Sequence, residues 1–322
     1  MKNLNFKNIK EFSDIIHLTS ECLCNILRYK KYKTFYIKKK NKTGYREICA
    51  PNFKLRLIQK WILVNVLEKY SVSKHATAFV KDCNGLLKNA EIHKNQKFIL
   101  KLDLKDFYPS IYIDMIKKVF KDLGFSDFES RVFANLCTYN KTLPQGAITS
   151  PYLSNLVFLK LDNKIELLAK SKNMYYTRYA DDLIFSGDDI NDIFVLKREI
   201  LKLINRHSRF KINKEKTKVV FPSMHKKITG ITINNGEIKA SKNIKQIVRM
   251  TLYNLFKNGK FPDKYNKNKI IGYISFVHLI EDSEDDFGYI NKIINYVTTL
   301  MLKNNIKSDF ELLSTLQKMK KK

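Results

Sequence analysis

Residues 173–187 read NMYYTRYADDLIFSG, and the reading of this stretch decides the fold. It is strand-like and aromatic, with Asp181 and Asp182 adjacent in its middle. Two short apolar runs around a polar pair predict a hairpin that carries both carboxylates at its tip. Aspartates are ordinary turn formers. Like charges side by side repel, however, so two of them between hydrophobic strands call for a further cause.

A divalent cation supplies that cause. Hard oxygen ligands suit Mg²⁺, which is usually held by one or two carboxylates together with substrate phosphates. Two such ions about 4 Å apart activate an attacking oxygen and stabilise a leaving one during in-line displacement at phosphorus. That scheme needs another carboxylate from a second strand, and KFILKLDLKDFYPSI, residues 97–111, is placed to give it. Ile99 and the leucines at 100, 102 and 104 form its apolar body, Asp103 lies near its end, and Pro109 stops it. The hairpin beside this strand end predicts a rigid cluster of Asp103, Asp181 and Asp182.

Composition points to the same substrate class. The chain has 322 residues, enough for two or three subdomains, with 44% hydrophobic and 12% aromatic residues. Such a composition folds rather than staying disordered. Its 60 Lys and Arg against 31 Asp and Glu leave a net charge of +29. A surface this basic calls for a polyanion, and nucleic acid leads. No apolar run approaches the roughly 20 residues of a spanning helix, and the opening MKNLNFKNIKEF lacks a signal-peptide core. Cys22, Cys24, Cys49, Cys83 and Cys137 are scattered without CxxC pairs, which reads as reduced core cysteines of a cytoplasmic protein and not as a zinc site.

Along the chain, the first 30 residues read as helical. KTFYIKKKNKTGYREICAP predicts a basic-tipped hairpin turning at residues 41–44, followed by a helix with apolar positions 57, 58, 61, 62, 64 and 67. A helical region is expected from the Pro109 turn to about Tyr139. LPQGAITSPYLSNLVFLKLDNKIELLA opens as a loop and becomes a helix at Ser150-Pro151, with serine capping and proline in the first turn. A helix near 190–206 and the segment FKINKEKTKVV follow. ITGITINNGEIKAS predicts a short hairpin. SKNIKQIVRMTLYNLF predicts an amphipathic helix with Ile244, Ile247, Val248, Leu252 and Leu255 on one side. Lys242, Lys245, Arg249 and Tyr253 make a basic, tyrosine-bearing stripe on the other, suited to a phosphate backbone. EDSEDD, residues 281–286, is the one acidic knot and reads as a solvated loop.

LDLKDFYPSI, LPQGAITSPYLSNL and YADD occur in that order, and together they resemble the core motifs of reverse transcriptases. The resemblance spans about Tyr36 to Phe276. It implies an α+β right-hand polymerase: N-terminal helices and fingers at 1–98, a palm of antiparallel sheet plus helices at 99–222 with a fingers insertion at about 111–147, and a mainly helical thumb at 223–322. It further implies that Asp103 and Asp181 bind two Mg²⁺ ions with the Leu104 carbonyl, and that Asp182 completes the acidic cluster. The backbone amides of Asp106 and Phe107 would receive the triphosphate, and Tyr108 falls at the steric gate that favours deoxynucleoside triphosphates. Gln145 would lie against the incoming nucleotide, with Arg46 and Lys216 near its triphosphate.

Within that family the chain is most similar to the bacterial retron enzymes. NAEIH, with Asn89 and His93, matches their NAxxH signature, and Ile228-Thr229-Gly230 stands where they carry VTG. IIGYISFV resembles their thumb, while Ala78 in AFVKD departs from a frequent glycine and puts the local turn in question. The resemblance assigns Asn89, His93, Thr229 and Gly230 to RNA contact or positioning. It implies a cognate structured noncoding RNA, priming from an RNA 2′-hydroxyl, a branched RNA-DNA product (msDNA), and antiphage defence with an accessory effector protein. The alternatives are a group II intron-like or abortive-infection reverse transcriptase and, from another class, a nonpolymerising RNA-binding scaffold. The three aspartates argue against the scaffold, which has no need of them.

Overall fold

A computed structural model describes residues 5–39, 44–258, 266–281, 288–303 and 310–319. The expected turn at 41–44 and the acidic knot at 281–286 lie largely outside the described residues. In chain order the elements are α1 Ile9–Ile15, α2 Ser20–Arg28, β1 Tyr32–Lys38, β2 Tyr45–Pro51, α3 Phe53–Asn65, α4 Gly85–His93 and β3 Phe98–Lys105. Next come α5 Ile113–Asp122, α6 Asp127–Cys137, α7 Ser150–Lys170, β4 Tyr175–Tyr179, β5 Asp182–Gly187 and α8 Ile190–His207. The remainder are β6 Lys211–Ile212, β7 Lys218–Val220, β8 Lys227–Ile228, β9 Ile231–Thr232, β10 Lys239–Ala240, α9 Lys242–Asn258, α10 Lys267–Glu281, α11 Gly288–Lys303 and α12 Phe310–Met319.

The chain divides into two compact units, one of Met1–Gly85 with Lys97–Val219, the other of Leu86–Gln96 with Val220–Lys322. The first unit is organised by an antiparallel sheet of order β4-β5-β3-β6, with β7 also on β3. β3 is central and buried along most of its length on both faces, which is why FILKLDLK is nearly continuously apolar instead of alternating. α7 and α8 pack against the sheet and each other. β4 would be an exposed edge, but the backbone of residues 75–77 lies along it: the Thr77 amide donates to the Arg178 carbonyl at 2.8 Å and the Arg178 amide to the His75 carbonyl at 2.7 Å. That cover removes a free pairing edge beside the YADD turn. A second cluster of rings, Phe6 on Phe12 at 4.5 Å, Phe12 on Phe133 at 5.5 Å and Phe120 on Phe133 at 5.1 Å, fastens the N-terminal helices to α5 and α6.

Several local expectations are corrected. The helical region to about Tyr139 is present, as two helices broken at Gly124 (φ 95°) and restarted by a Ser126–Glu129 capping box. Ser150 does not cap α7; Thr149 is the N-cap residue, and the Ser150 hydroxyl donates instead to the Pro144 carbonyl at 2.7 Å. Pro151 does occupy the first turn. Only Cys49 and Cys137 are core cysteines, and Cys24 is exposed. Ala78 is buried without a left-handed backbone, and Phe79 takes that role at φ 62°.

In the second unit, ITGITINNGEIKAS forms three strands, order β10-β9-β8, and not a two-stranded hairpin. Thr229 and Gly230 make its tight turn at φ 45° and 97°, the doubly left-handed geometry of a two-residue hairpin loop. Lys226 joins the end of the 86–96 segment to this sheet through the Gln96 carbonyl at 2.8 Å.

Candidate active site

The β3–β5 register places Asp103 directly opposite Asp182. The Leu104 amide donates to the Asp181 carbonyl at 2.9 Å, so Asp103 and Asp182 form a non-hydrogen-bonded pair, the kind whose side chains stand closest, with Cα atoms about 4.5 Å apart. The Leu104 carbonyl, on the same strand edge as its amide, faces the hairpin turn. The turn itself is Ala180-Asp181, closed by the Tyr179–Asp182 pair, with Ala180 left-handed at φ 55°. The two aspartates are therefore not equivalent: Asp181 is a turn residue, and Asp182 begins β5.

Facing like charges in a sheet are unfavourable. Burial first, and then the charges of Asp181 and Asp103, push the Asp182 carboxyl up to about 6. Burial is also the leading cause that raises Asp181. One cation is already present: Lys216, from a short 3₁₀ turn at 214–216, puts its Nζ 2.5 Å from Asp103 Oδ2, and the Asn213 amide donates to the Asp103 carbonyl at 2.8 Å. Among the described residues no group of three or more His, Cys, Asp or Glu side chains is arranged to hold a metal ion by itself. The Asp103, Asp181 and Asp182 carboxylates, whose repulsion Lys216 relieves only in part, are nonetheless hard oxygen donors that suit Mg²⁺, which takes few protein carboxylates and fills its shell with water and phosphate.

The turn after β3 starts at Asp106, exposed and left-handed at φ 47°. Phe107 points into the core against Phe158 and Phe210 at 6.0 and 5.5 Å, which fixes the turn from beneath. Tyr108 lies half-buried beside it at 5.6 Å; burial and the Asp181 charge push its phenol up to about 12. Arg46 on β2 acts electrostatically on both Tyr108 and Asp181. Gln145 offers its carbonyl to the Cys49 amide at 2.8 Å. At Gly146 (φ 127°) a Cβ would come 2.8 Å from the Cys49 carbonyl, so LPQG needs this glycine to lie against β2. The structure thus brings Asp103, Asp181, Asp182, Lys216, Tyr108 and Arg46 into one neighbourhood.

The sequence reading missed Arg178. It is fully buried on β4, donating to Asp162 from Nε at 2.9 Å and from Nη2 at 2.7 Å, and from Nη1 to Asn155 at 3.0 Å and the Ala180 carbonyl at 3.2 Å. A charged residue inside an apolar strand pattern was the available signal.

In the second unit, Asn89 and His93 are both fully buried. Spaced four apart on α4, they share its inward face and are not presented at the surface. On α9, Lys242, Arg249 and Tyr253 are exposed, whereas Lys245 is engaged by Glu281 at 2.6 Å and leaves the stripe. Lys257, 5.7 Å from the Tyr253 ring centre, extends the stripe by one turn.

The profile of the family described as "Reverse transcriptase (RNA-dependent DNA polymerase)" matches residues 37–258. The retron Ec86 reverse transcriptase of Escherichia coli is 32% identical over 297 residues, covering 91% of this chain and 89% of that protein. This chain belongs to the retron reverse transcriptases. The retron Mx65 enzyme of Myxococcus xanthus is 32% identical over 225 residues, 64% of this chain, and the chain spans 52% of that relative. In fold, the reverse transcriptase is similar to apo telomerase from Candida tropicalis, with a TM-score of 0.50 at 12% identity over 89% of this chain and 67% of that one. The architecture is accordingly the right-hand polymerase fold, and the activity is RNA-directed DNA polymerisation, not passive scaffolding. RNA is the template partner, and divalent metal ions are general to the family. No helix among the described residues is long and apolar enough to cross a membrane.

Proposed function

We propose that the cluster at the ends of β3 and β5 is the reacting centre of a retron polymerase that copies part of a structured noncoding RNA into short single-stranded DNA. The observation that carries this reading is the facing Asp103–Asp182 pair with Asp181 in the adjoining turn. Asp103 and Asp181 would hold two Mg²⁺ ions with the Leu104 carbonyl, and Asp182 keeps the local field negative. When bound, the ions activate the attacking oxygen and stabilise the leaving pyrophosphate.

The chain's own groups do the rest. Lys216 holds Asp103 and would meet the triphosphate. Arg46 adds positive charge from β2, and the Asp106 and Phe107 amides receive phosphate oxygens on a turn anchored by the Phe107 ring. Tyr108, neutral at working pH, blocks the 2′-hydroxyl with its ring, and Gln145 lines the nucleotide on the LPQG loop. In this reading residues 1–98 supply the fingers, 99–222 the palm with its insertion, and 223–322 the thumb. The Thr229-Gly230 turn and the exposed Lys242, Arg249 and Tyr253 contact the RNA, with Asn89 and His93 supporting from within. Priming from a 2′-hydroxyl, an msDNA product, a cytoplasmic site of action and antiphage defence with an effector protein are supported by the family resemblance.

The test is to express the native locus and compare nucleic acid recovered with the wild-type protein and with Asp181→Ala/Asp182→Ala. A discrete short DNA joined to RNA, present with wild type and absent from the variant, is expected. Undiminished DNA synthesis by the variant would remove the assignment of the centre.

A further inference from the structure

Ala180 is a non-glycine residue at φ 55°, a conformation that persists only when its surroundings over-determine it. What surrounds it is the Arg178 guanidinium. Arg178 and Asp162 are each 0% exposed, and the Asp162 carboxylate takes Nε, Nη2 and the Tyr176 hydroxyl, the last at 2.7 Å. These bonds fix the plane of the guanidinium, which also lies 4.5 Å from the centre of the Phe158 ring. Nη1 is then left to bridge Asn155 of α7 and the Ala180 carbonyl. Asn155 in turn donates to the Ala78 carbonyl at 2.9 Å, so the same network reaches the segment that covers the β4 edge. Phe158 continues it to Phe107 beneath the turn after Asp103.

We propose that Arg178 is a positioning residue for the catalytic turn: anchored on Asp162 and Asn155 of α7, it holds the Ala180 carbonyl and so sets where Asp181 and Asp182 stand relative to Asp103. A buried ion pair is a poor device for stability alone, because well-packed apolar residues of similar volume replace such pairs at little or no loss. Its particular contribution here is direction. Five guanidinium contacts, three to Asp162 and one each to Asn155 and the Ala180 carbonyl, fix one plane whose Nη1 corner meets the carbonyl immediately before Asp181. The inference rests on the assignment of Asp181 and Asp182 to the reacting centre.

The experiment compares the full-length wild-type protein with Arg178→Met/Asp162→Leu, which removes both charges together and refills the space, on a primed RNA template. The expected variant folds, melting below wild type because Tyr176, Asn155 and the Ala180 carbonyl lose buried partners, and keeps its KM for template-primer. Its kcat falls about 100-fold, the effect of misplacing a catalytic group by about 1 Å. Mn²⁺ affinity, read by electron paramagnetic resonance without substrate, falls about 10-fold, as when groups supporting metal ligands are lost. Wild-type kcat and Mn²⁺ affinity in the folded variant would overturn the proposal. Should the double variant not fold, Arg178→Lys decides: it keeps the charge on Asp162 but cannot reach Asn155 and Ala180 together. A folded Lys variant with kcat at least about 10-fold down supports the role, and one at the wild-type rate refutes it. Asp181→Ala runs alongside. If it is inactive while the Arg178 variants are active, only the positioning role fails; if it is itself active, the assignment of the centre fails first.

Discussion

Asp182→Asn is expected to make the metal-free protein more stable while it destroys catalysis, and the size of the gain follows from the site. The folded protein holds the Asp182 carboxyl near 6, against 3.8 for the free group. Between about pH 4 and 6 the folded state retains a proton that the unfolded chain has released, so the carboxyl's contribution to stability is full below pH 4 and is lost as pH rises through 6. A rise of about 2 units corresponds to about 3 kcal/mol of penalty on the ionised group at pH 8. The asparagine amide must still be desolvated, which leaves an expected gain of about 1.5–3 kcal/mol at pH 8, or roughly 3–12 °C in Tm for a unit of about 200 residues. The assay is thermal and urea unfolding of both proteins in EDTA from pH 4 to 8. The difference should vanish near pH 4, grow to a plateau above pH 7, and shrink at pH 8 when Mg²⁺ is added, because the ion relieves the same repulsion in the wild type. A variant less stable than wild type at pH 8, or a gain independent of pH, would refute the account of a strained carboxylate pair.

Tyr108→Ala should admit ribonucleotides, lowering discrimination between dNTP and rNTP by about 10-fold or more, measured as the ratio of kcat/KM values; unchanged discrimination would remove the ring from the gate. Gly146→Ala should raise the KM for dNTP and lower Tm, because its Cβ would meet the Cys49 carbonyl at 2.8 Å and its backbone sits at φ 127°; wild-type values would show that the LPQG loop is not held as described. Arg249→Ala should weaken RNA binding and reduce the salt slope by about 0.7–0.9. Lys245→Ala, removing a residue already engaged by Glu281, should change that slope much less, and equal effects would restore Lys245 to the stripe.

The strand carrying Asp103, the hairpin carrying Asp181 and Asp182, and the long helix after LPQG were legible because each is decided by local pattern: an apolar run, a polar pair between strands, a proline in a first turn. The pairing of Asp103 with Asp182 was not, since it depends on register across nearly eighty residues of chain, and register is written only in the packed sheet. The same limit explains Ser150. Its sequence position reads as a cap, but the loop brings the Pro144 carbonyl within 2.7 Å of its hydroxyl and takes the group for itself. Asn89 and His93 were readable as a motif but not as buried, because a polar pair spaced four apart marks one helix face without saying which way that face turns.

The placement of the acidic residues joins the basic composition to the site. Asp162 is enclosed by Arg178 and Tyr176, while Glu166 meets Lys74, Lys170 and His75, whose hydrogen bonds hold its carboxyl down at about 2. Asp127 is similarly held at about 2 by Lys121 and Lys117, with Arg131 beside it, and Glu281 spans Lys245 and the Ala240 amide. Carboxylates committed in this way cancel neighbouring lysines and arginines locally. Against a net charge of +29, the described residues at the β3–β5 end instead set Asp103, Asp181 and Asp182 beside one another, with Lys216 relieving their repulsion only in part. A polyanion is thus attracted to the protein as a whole, yet its phosphates meet a repulsive spot at Asp181 and Asp182 unless divalent metal accompanies them. Raising Mg²⁺ should therefore strengthen the binding of a nucleotide triphosphate at the site while weakening, by ordinary screening, the binding of RNA to the rest of the surface. Measured on one preparation by nucleotide and RNA titrations at stepped Mg²⁺, the two affinities should move in opposite directions, and parallel movement would contradict this division of charge.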